Sequence, residues 1–241
     1  MIGFGTLINA AAIVLGGLCG LLFGRFLAER HQETLGRACG VCVLFIGGAG
    51  ALAGMLSLEG GALVSGRSLL IIGCMALGAL IGEALDLEDG FERFGEWLKQ
   101  KTGNARDKQF VNGFVTASLT VSIGAMAVVG SIQDGVFGDW SVLATKAVLD
   151  FIIVLVMSCS LGKGCLFSAI PVAVFQGSMT ALARLVKPLM TDAALDNLSL
   201  IGSLLIFCVG INLVWGKRIR VANLLPAIVL AVAAAFLFPG L

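Results

Sequence analysis

The sequence predicts an all-α membrane protein: a single domain built as a bundle of transmembrane helices. Hydrophobic residues make up 58% of the chain and charged residues only 13%, whereas soluble domains carry roughly 25% charged residues. Apolar runs of about 20 residues recur along the chain, which is the length an α-helix needs to cross a bilayer. Strand-length segments of alternating hydrophobicity are absent from the sequence, so helices are expected to form the spans.

The apolar runs divide the chain into eight candidate spans joined by polar linkers. No basic segment precedes the first run and no convincing cleavage site follows it, so we expect a retained helix and not a signal peptide. The connection between the fifth and sixth spans, LGKGC at 161–165, fits either a loop or a re-entrant hairpin. The spans lie at about 4–24, 38–56, 69–85, 110–130, 141–160, 165–183, 198–215 and 222–238.

Lysine and arginine are distributed asymmetrically over the linkers, and this asymmetry predicts the orientation in the membrane. If the amino terminus is outside, twelve basic residues fall in inside linkers and three fall in outside linkers, while Lys146 lies within a span. The distribution predicts that both termini are outside. The segment SIQDGVFGDW, residues 131–140, is then an external, solvated connector.

Two linkers, 25–38 and 86–108, have an amphipathic pattern that predicts helices. In the second, Phe94 and Trp97 belong to an apolar stripe with acids and lysines between its members. Such a helix can lie on the cytoplasmic membrane surface, pack beneath the bundle or form an oligomer contact.

A faint internal repetition is consistent with repeated helix–linker–helix units, a common construction in transporters. The segment GVCVLFIGGAG at 40–50 is similar to GSLLIFCVGIN at 202–212, and LTVSIGAMAV at 119–128 is a more distant third copy.

Glycines spaced four residues apart predict close helix packing in lipid. They include Gly16, Gly20 and Gly24 in the first span, and their apolar setting makes a homo-oligomer an expected partner. Neither an ATP-driven pump nor a nucleic-acid-binding protein is expected, because the chain lacks a nucleotide-binding motif and has a net charge of only +1.

No cofactor is expected from the cysteines or the single histidine. Cys39 and Cys42 have the spacing of a metal or redox pair, but no second pair accompanies them, and His31 lies on a charged linker. Packing between helices accounts for these residues better than zinc does.

Asp150 is the candidate ion site because it falls about 15 Å into its span, near the middle of the bilayer. A charge at that depth costs about 2.5–3.5 kcal/mol on insertion scales, and such residues usually face a bundle interior or a hydrated cavity. Lys146 lies one helical turn earlier on the same face and can partly neutralise the carboxylate. The alternative is a structural Lys–Asp pair that fixes one helix.

Neutral oxygen atoms on neighbouring spans extend this candidate pathway. Oxygen ligands suit a hard cation such as sodium, although serine and threonine also commonly bond to their own helix. Asp134 and Asp139 are predicted to form an external acidic mouth that concentrates cations. The remaining candidate residues are Asn112, Ser118, Thr120 and Ser122 in the fourth span and Gln176 in the sixth.

Residues 130–177, GSIQDGVFGDWSVLATKAVLDFIIVLVMSCSLGKGCLFSAIPVAVFQG, resemble the YqgA/YdfK-type family of bacterial inner-membrane proteins. The segments TLINAAAIVLGGLCGLLFGR and RHQETLGRACGVCVLFIGGAGAL resemble the opening of the same family, so the likeness covers nearly the whole chain. Phe151 stands where family members usually carry glycine. The resemblance implies a multi-pass protein of the bacterial inner membrane, sometimes guessed to be a sodium channel or pump and linked to biofilm behaviour.

These observations predict a transport protein or channel for a small solute or a monovalent cation, either sodium or a proton, and no enzyme. The alternative is a membrane scaffold or signalling protein that acts through its amphipathic linkers and affects biofilm-type behaviour. A hydrated Asp150 favours transport, whereas an Asp150 sealed against Lys146 favours the scaffold.

Overall fold

A computed structural model describes residues 2–122 and 125–237 and confirms the all-α fold class. The eighth predicted span ends at residue 238, which lies outside the described residues, as do residues 123 and 124 of the fourth. Short 3-10 segments at 162–168, 187–189 and 221–224 join some of the helices. The helices are α1 Phe4–Gly24, α2 Glu29–Met55, α3 Ser68–Leu85, α4 Leu87–Lys101, α5 Phe110–Ser122, α6 Ala125–Phe137, α7 Ser141–Leu161, α8 Ala169–Ala181, α9 Ala183–Val186, α10 Asp192–Trp215 and α11 Pro226–Leu237.

The predicted number of eight spans is not confirmed. By length and composition, the described residues contain five segments that can cross a membrane, or six if α5 and α6 form one bent span. The predicted fifth and sixth spans fall together in one of these segments, Ser141–Ala181, which contains α7 and the 13-residue α8. The predicted eighth span corresponds to the short helix α11 with 12 residues. Large apolar side chains such as Leu7, Ile72 and Val148 are exposed on the long helices. Outward-facing apolar helices of this length place the protein in the bilayer as a multi-pass membrane protein.

Helices α7 and α8 form a hairpin around α1. Along α1, Gly16 contacts Phe151 and Gly20 contacts Leu155, so α1 and α7 run in the same direction. Gly17 contacts Leu166, whereas Asn9 bonds to Gln176, so α8 runs back towards the end of the bundle where α1 begins. We call this end the amino-terminal end of the bundle and the other the opposite end.

The two similar segments 40–50 and 202–212 pack against each other in the antiparallel pair of α2 and α10. Gly47 contacts Phe207, and Gly210 contacts Leu44. Glycines of both segments thus let the two helices approach each other across one interface, although repeated helix–linker–helix units remain a prediction.

The spaced glycines are used for helix contacts within the chain. A Cβ atom added at Gly16 would lie 2.5 Å from the carbonyl oxygen of Phe151, far closer than a van der Waals contact allows. Gly54 likewise packs on Leu200 of α10, and Gly82 packs on the backbone of Asn223 beside α11. Because these faces are already covered, they provide no support for the predicted homo-oligomer.

A short β-hairpin follows α2, where no strand is expected from the sequence pattern. β1 Leu56–Glu59 pairs antiparallel with β2 Ala62–Ser65. Gly60 and Gly61 form the two-residue turn with φ values of 59° and 84°. This turn needs positive φ at both positions, which glycine adopts without strain. Strands of four residues are too short to give a clear alternating pattern.

The two amphipathic linkers are helical, as the pattern predicts. Most of 25–38 forms the first turns of α2, which begins at Glu29. In the linker 86–108, α4 buries Leu98 and packs Gly95 against Phe114 of α5, so the helix lies beneath the bundle at the opposite end. Its Phe94 and Trp97 rings stack with centroids 5.7 Å apart and are both partly exposed.

The α1–α7 contact generates the first prediction. Gly16→Ala is expected to lower the free energy of unfolding by about 1–3 kcal/mol, because the added methyl overpacks the contact with the Phe151 backbone. Thermal unfolding in detergent, followed by circular dichroism, measures the change. Gly73→Ala in α3 is the matched control, since nothing lies within 4 Å of its added Cβ. Equal stability of the two variants would contradict the close-packing role.

Candidate ion site

Asp150 and Lys146 form a buried ion pair near the middle of α7. Asp150 is the tenth of the 21 residues of this helix, which places it near mid-membrane. Its Oδ2 atom lies 2.5 Å from Nζ of Lys146. Asp150 is 3% exposed and Lys146 is 6% exposed. The pair is therefore sealed from bulk water in this conformation.

Lys146 also binds the end of another helix. Its Nζ donates to the carbonyl oxygen of Val121, 2.7 Å away, in the last turn of α5. The axes of residues 110–122 and 126–137 differ by 63°, so α6 does not continue the direction of α5. A charged ammonium donates a stronger hydrogen bond to a backbone carbonyl than a neutral donor does. Lys146 thus joins a helix end inside the bundle to the Asp150 carboxylate.

Two amides extend the network to α1 and α8. Asn9 Nδ2 donates to Asp150 Oδ2 over 3.0 Å and to Gln176 Oε1 over 3.2 Å. Both amide side chains are fully buried. Flipping the Asn9 amide would turn its oxygen towards the carboxylate, so the chemistry fixes its orientation. Of these two amides, only Gln176 was among the candidate residues predicted from the sequence.

Asp134 differs from its predicted place on a solvated external connector. Helix α6 continues to Phe137, so Asp134 is helical and 0% exposed. Its carboxylate accepts from the N–H groups of Gly3 at 3.2 Å and Gly5 at 3.0 Å. It satisfies two free donors at the start of α1 and complements the positive end of the helix dipole. The predicted open acidic mouth is wrong for this residue.

Asp139 does lie in the exposed connector, between α6 and α7. Its Oδ1 accepts from the N–H of Ser141 at 3.0 Å, at the start of α7. This backbone hydrogen bond lowers the pKa of Asp139. Since Asp134 is buried and Asp139 is exposed, the two acids do not share one water-filled entrance.

The hydroxyl groups of α5 do not contact Asp150. Thr120 donates to the carbonyl oxygen of Thr116 in its own helix at 2.7 Å. Ser118 and Ser122 line an apolar cavity of about 290 Å³, together with Pro171 and Phe175 of α8. The predicted oxygen set for a sodium ion is therefore not assembled around the aspartate. The contact of α5 with the ion pair is the hydrogen bond from Lys146 to the Val121 carbonyl oxygen.

Asn112 lines a larger cavity of about 520 Å³ between α4, α5 and the carboxyl end of α10. We call this cavity the vestibule. Asn112, Thr116 and Leu119 form its wall on one face of α5. Leu119 precedes Val121, whose carbonyl Lys146 binds, by two residues, or about 3 Å along the helix axis. The vestibule thus extends from the opposite end of the bundle to near the level of the ion pair.

The vestibule carries more acid than base. Glu88, Glu92 and Glu96 of α4 line it, and Lys217 in the loop after α10 is its one lysine among the lining residues. Lys217 bonds to Glu92 and lies 3.0 Å from Glu88. Burial opposes its charge, but the bonds to both glutamates raise its pKa overall. The pair therefore persists at neutral pH and is lost only as the pH rises above the ordinary lysine range.

The structure does not assemble a metal centre from the cysteines. Cys39 is buried and Cys42 is exposed one turn later in α2. Within residues 2–122 and 125–237, no three His, Cys, Asp or Glu side chains are close enough to hold a metal ion.

Apolar helices and a charged network sealed among them define a multi-pass membrane protein. Residues 4–236 match the family described as Protein of unknown function (DUF554), and the chain belongs to this family. It is 30% identical to "Uncharacterized protein YqgA" of Escherichia coli (strain K12) over 240 residues, covering 94% of each chain. It is 25% identical to "Uncharacterized membrane protein YdfK" of Bacillus subtilis (strain 168), over 97% of this chain and 96% of that protein. No solved structure matches.

The different settings of Asp134 and Asp139 generate a paired prediction. Asp134→Asn is expected to lower the free energy of unfolding by about 1–3 kcal/mol, because an amide cannot accept from both buried N–H groups. Asp139→Asn keeps the one acceptor that Ser141 needs and loses only an exposed charge, so it should lower stability by much less than Asp134→Asn does. Chemical unfolding in detergent measures both variants. Equal effects of the two substitutions would refute the capping role of Asp134.

Proposed function

We propose that the protein transports a monovalent cation or a proton across the membrane, with Asp150 as the ion site. The observation that supports this most is that Lys146 bonds at once to Asp150 and to the end of α5. Transporters commonly place ion sites near mid-membrane, where broken helices expose backbone carbonyls. A charge pair at this depth is costly and marks an ion pathway more often than a packing element.

The vestibule supplies an approach from one side. Its glutamates raise the local concentration of cations, and its polar wall along α5 leads from Asn112 and Thr116 towards the level of Lys146. With the predicted orientation, both termini outside, the vestibule opens towards the cytoplasm. The pair of Lys146 and Asp150 then forms the barrier between this vestibule and the amino-terminal end of the bundle.

The sealed pair corresponds to a closed state in this proposal. The Lys146 ammonium occupies the place beside the carboxylate that an incoming cation or proton would take. When the carboxylate is neutralised, the ammonium loses its strongest partner and keeps only the Val121 carbonyl. The equilibrium then shifts towards a state in which α5 and α7 separate and water reaches the site.

A scaffold or signalling function is the second candidate, and the sealing of the pair favours it, because a structural ion pair also excludes water. In that case α4 would be the surface that binds another protein. Its exposed Phe94 and Trp97, beside Arg93 and Glu96, would contact a cytoplasmic partner. Replacing these charges should then abolish the protein's effect on biofilm-type behaviour, whereas neutralising Asp150 should not.

Flux in proteoliposomes separates the two candidates. Asp150→Asn is expected to abolish cation and proton flux and to destabilise the protein by about 3–5 kcal/mol, because it leaves Lys146 buried without a counter-charge. The double variant Lys146→Gln and Asp150→Asn removes both charges together. It should recover most of that stability without recovering flux.

The double variant keeps the test informative if the single variant folds poorly. Lys163→Gln removes an exposed lysine away from the sealed pair and the vestibule, and it serves as a control for the loss of a positive charge. Wild-type-like flux in the folded double variant would exclude Asp150 as the ion site. Absence of sodium, potassium and proton flux in the wild-type protein would exclude the transport function itself.

A further inference from the structure

Buried polar side chains continue from Asp150 towards the amino-terminal end of the bundle, on three helices. They are Thr6 and Asn9 of α1, Ser131 of α6, and Gln176 and Thr180 of α8, and each is at most 7% exposed. Within the described part of the chain, each of these side chains has one polar atom with no hydrogen-bond partner: the hydroxyl oxygens, Asn9 Oδ1 and Gln176 Nε2. The sequence reasoning missed the three hydroxyls, because single serines and threonines are common in apolar helices.

The helix geometry places these side chains in successive layers. Thr6 lies three residues before Asn9 and so on the same face of α1. Thr180 lies four residues after Gln176, one turn nearer the amino-terminal end along α8. Asp134, which binds Gly5 next to Thr6, closes this row at that end.

Ser131 joins the row from α6. Gly135 of α6 packs directly on the backbone of Thr180. Gly130 of α6 and Gly5 of α1 both pack on Leu143 near the start of α7, so the neighbouring Ser131 lies near the level of Thr6. Ser131 also lies three residues before Asp134. The layers therefore connect Asp150, through Asn9 and Gln176, to Thr6, Thr180 and Ser131 and finally to Asp134.

Packing alone does not account for this row. Buried polar groups are normally paired, since an unpaired hydroxyl in an apolar interior loses its hydrogen bonds to water. Apolar side chains of the same shape would fill the space without that cost. The unpaired atoms leave donors and acceptors on facing helices to which water can bond in another state of the protein.

We infer that this row is the second half of the pathway and that the transported ion is a proton; the inference rests on the proposed function. The groups that touch the Asp150 carboxylate are N–H donors, from Lys146 and Asn9. A sodium ion needs a shell of oxygen ligands, which these donors do not provide. A proton needs only the carboxylate and a line of hydrogen-bonding groups.

The charged groups that face this route are few. Asp150 faces Lys146 from its own helix, the Val121 carbonyl from α5 and the neutral Asn9 from α1, while Asp134 of α6 holds the amino-terminal end. A hydronium ion supplies the proton, which binds a carboxylate oxygen of Asp150 and leaves again to water on the other side. On uptake an O–H bond of hydronium breaks as the carboxylate O–H forms; on release the carboxylate O–H breaks as a new O–H forms on water. Lys146 keeps its own protons throughout.

Proton uptake by proteoliposomes with an internal pH-sensitive dye tests the inference. A potassium gradient with valinomycin sets the membrane potential. We expect proton flux in the wild-type protein, and at least a tenfold loss in Ser131→Ala and in Thr180→Val. The melting temperature of both variants should stay unchanged or rise, because each removes an unpaired buried hydroxyl. Ser178→Ala is the matched control, as this exposed hydroxyl of α8 bonds to its own helix.

Each outcome separates the inference from the proposed function. Sodium flux without proton flux, lost in Asp150→Asn, would keep the transport function and overturn the proton assignment. Proton flux that both hydroxyl variants retain would overturn the role of the row. A lower melting temperature with unchanged flux would identify the hydroxyls as structural.

Discussion

The contact on which the rest of the site depends is the bond of one ammonium group to two acceptors. Lys146 holds the Asp150 carboxylate and the Val121 carbonyl, and so it joins the middle of α7 to the end of α5. Without it, the bundle would bury a carboxylate without a counter-charge, which is expensive in an apolar interior. Lys146 therefore links α5 to the sealed Asp150.

Close helix packing makes this contact possible. Glycine in α1 lets α7 approach closely enough for Asn9 to reach Asp150, and α8 returns beside α1 to bring Gln176 to the same amide. The same packing excludes water, which strengthens the ion pair and separates the vestibule from the amino-terminal end. Alternating access requires a barrier between the vestibule and the amino-terminal end of the bundle. A rigid scaffold would contain the same barrier.

Much of the fold and the centre of the site followed from local patterns. Apolar runs and spaced glycines identified the helices, and the i to i+4 spacing of Lys146 and Asp150 predicted their pair. The errors came from long-range contacts. Asp134 looked solvated because its run is rich in glycine and acid, yet α6 continues through it to meet α1. Ser118 and Ser122 follow the right period, but the face of α5 that carries them lines an apolar cavity and not the aspartate. Asn9 has no local sequence feature that predicts a site.

The central claim is that the Asp150 carboxylate gains and loses a proton in the working protein. Infrared difference spectroscopy on the reconstituted protein measures this directly, because a protonated carboxyl group has a carbonyl band of its own. On acidification, the account predicts such a band in the wild-type protein, absent from Asp150→Asn and present in Asp134→Asn. An identical response in the wild-type and Asp150→Asn proteins would contradict it and leave the buried pair as a structural element.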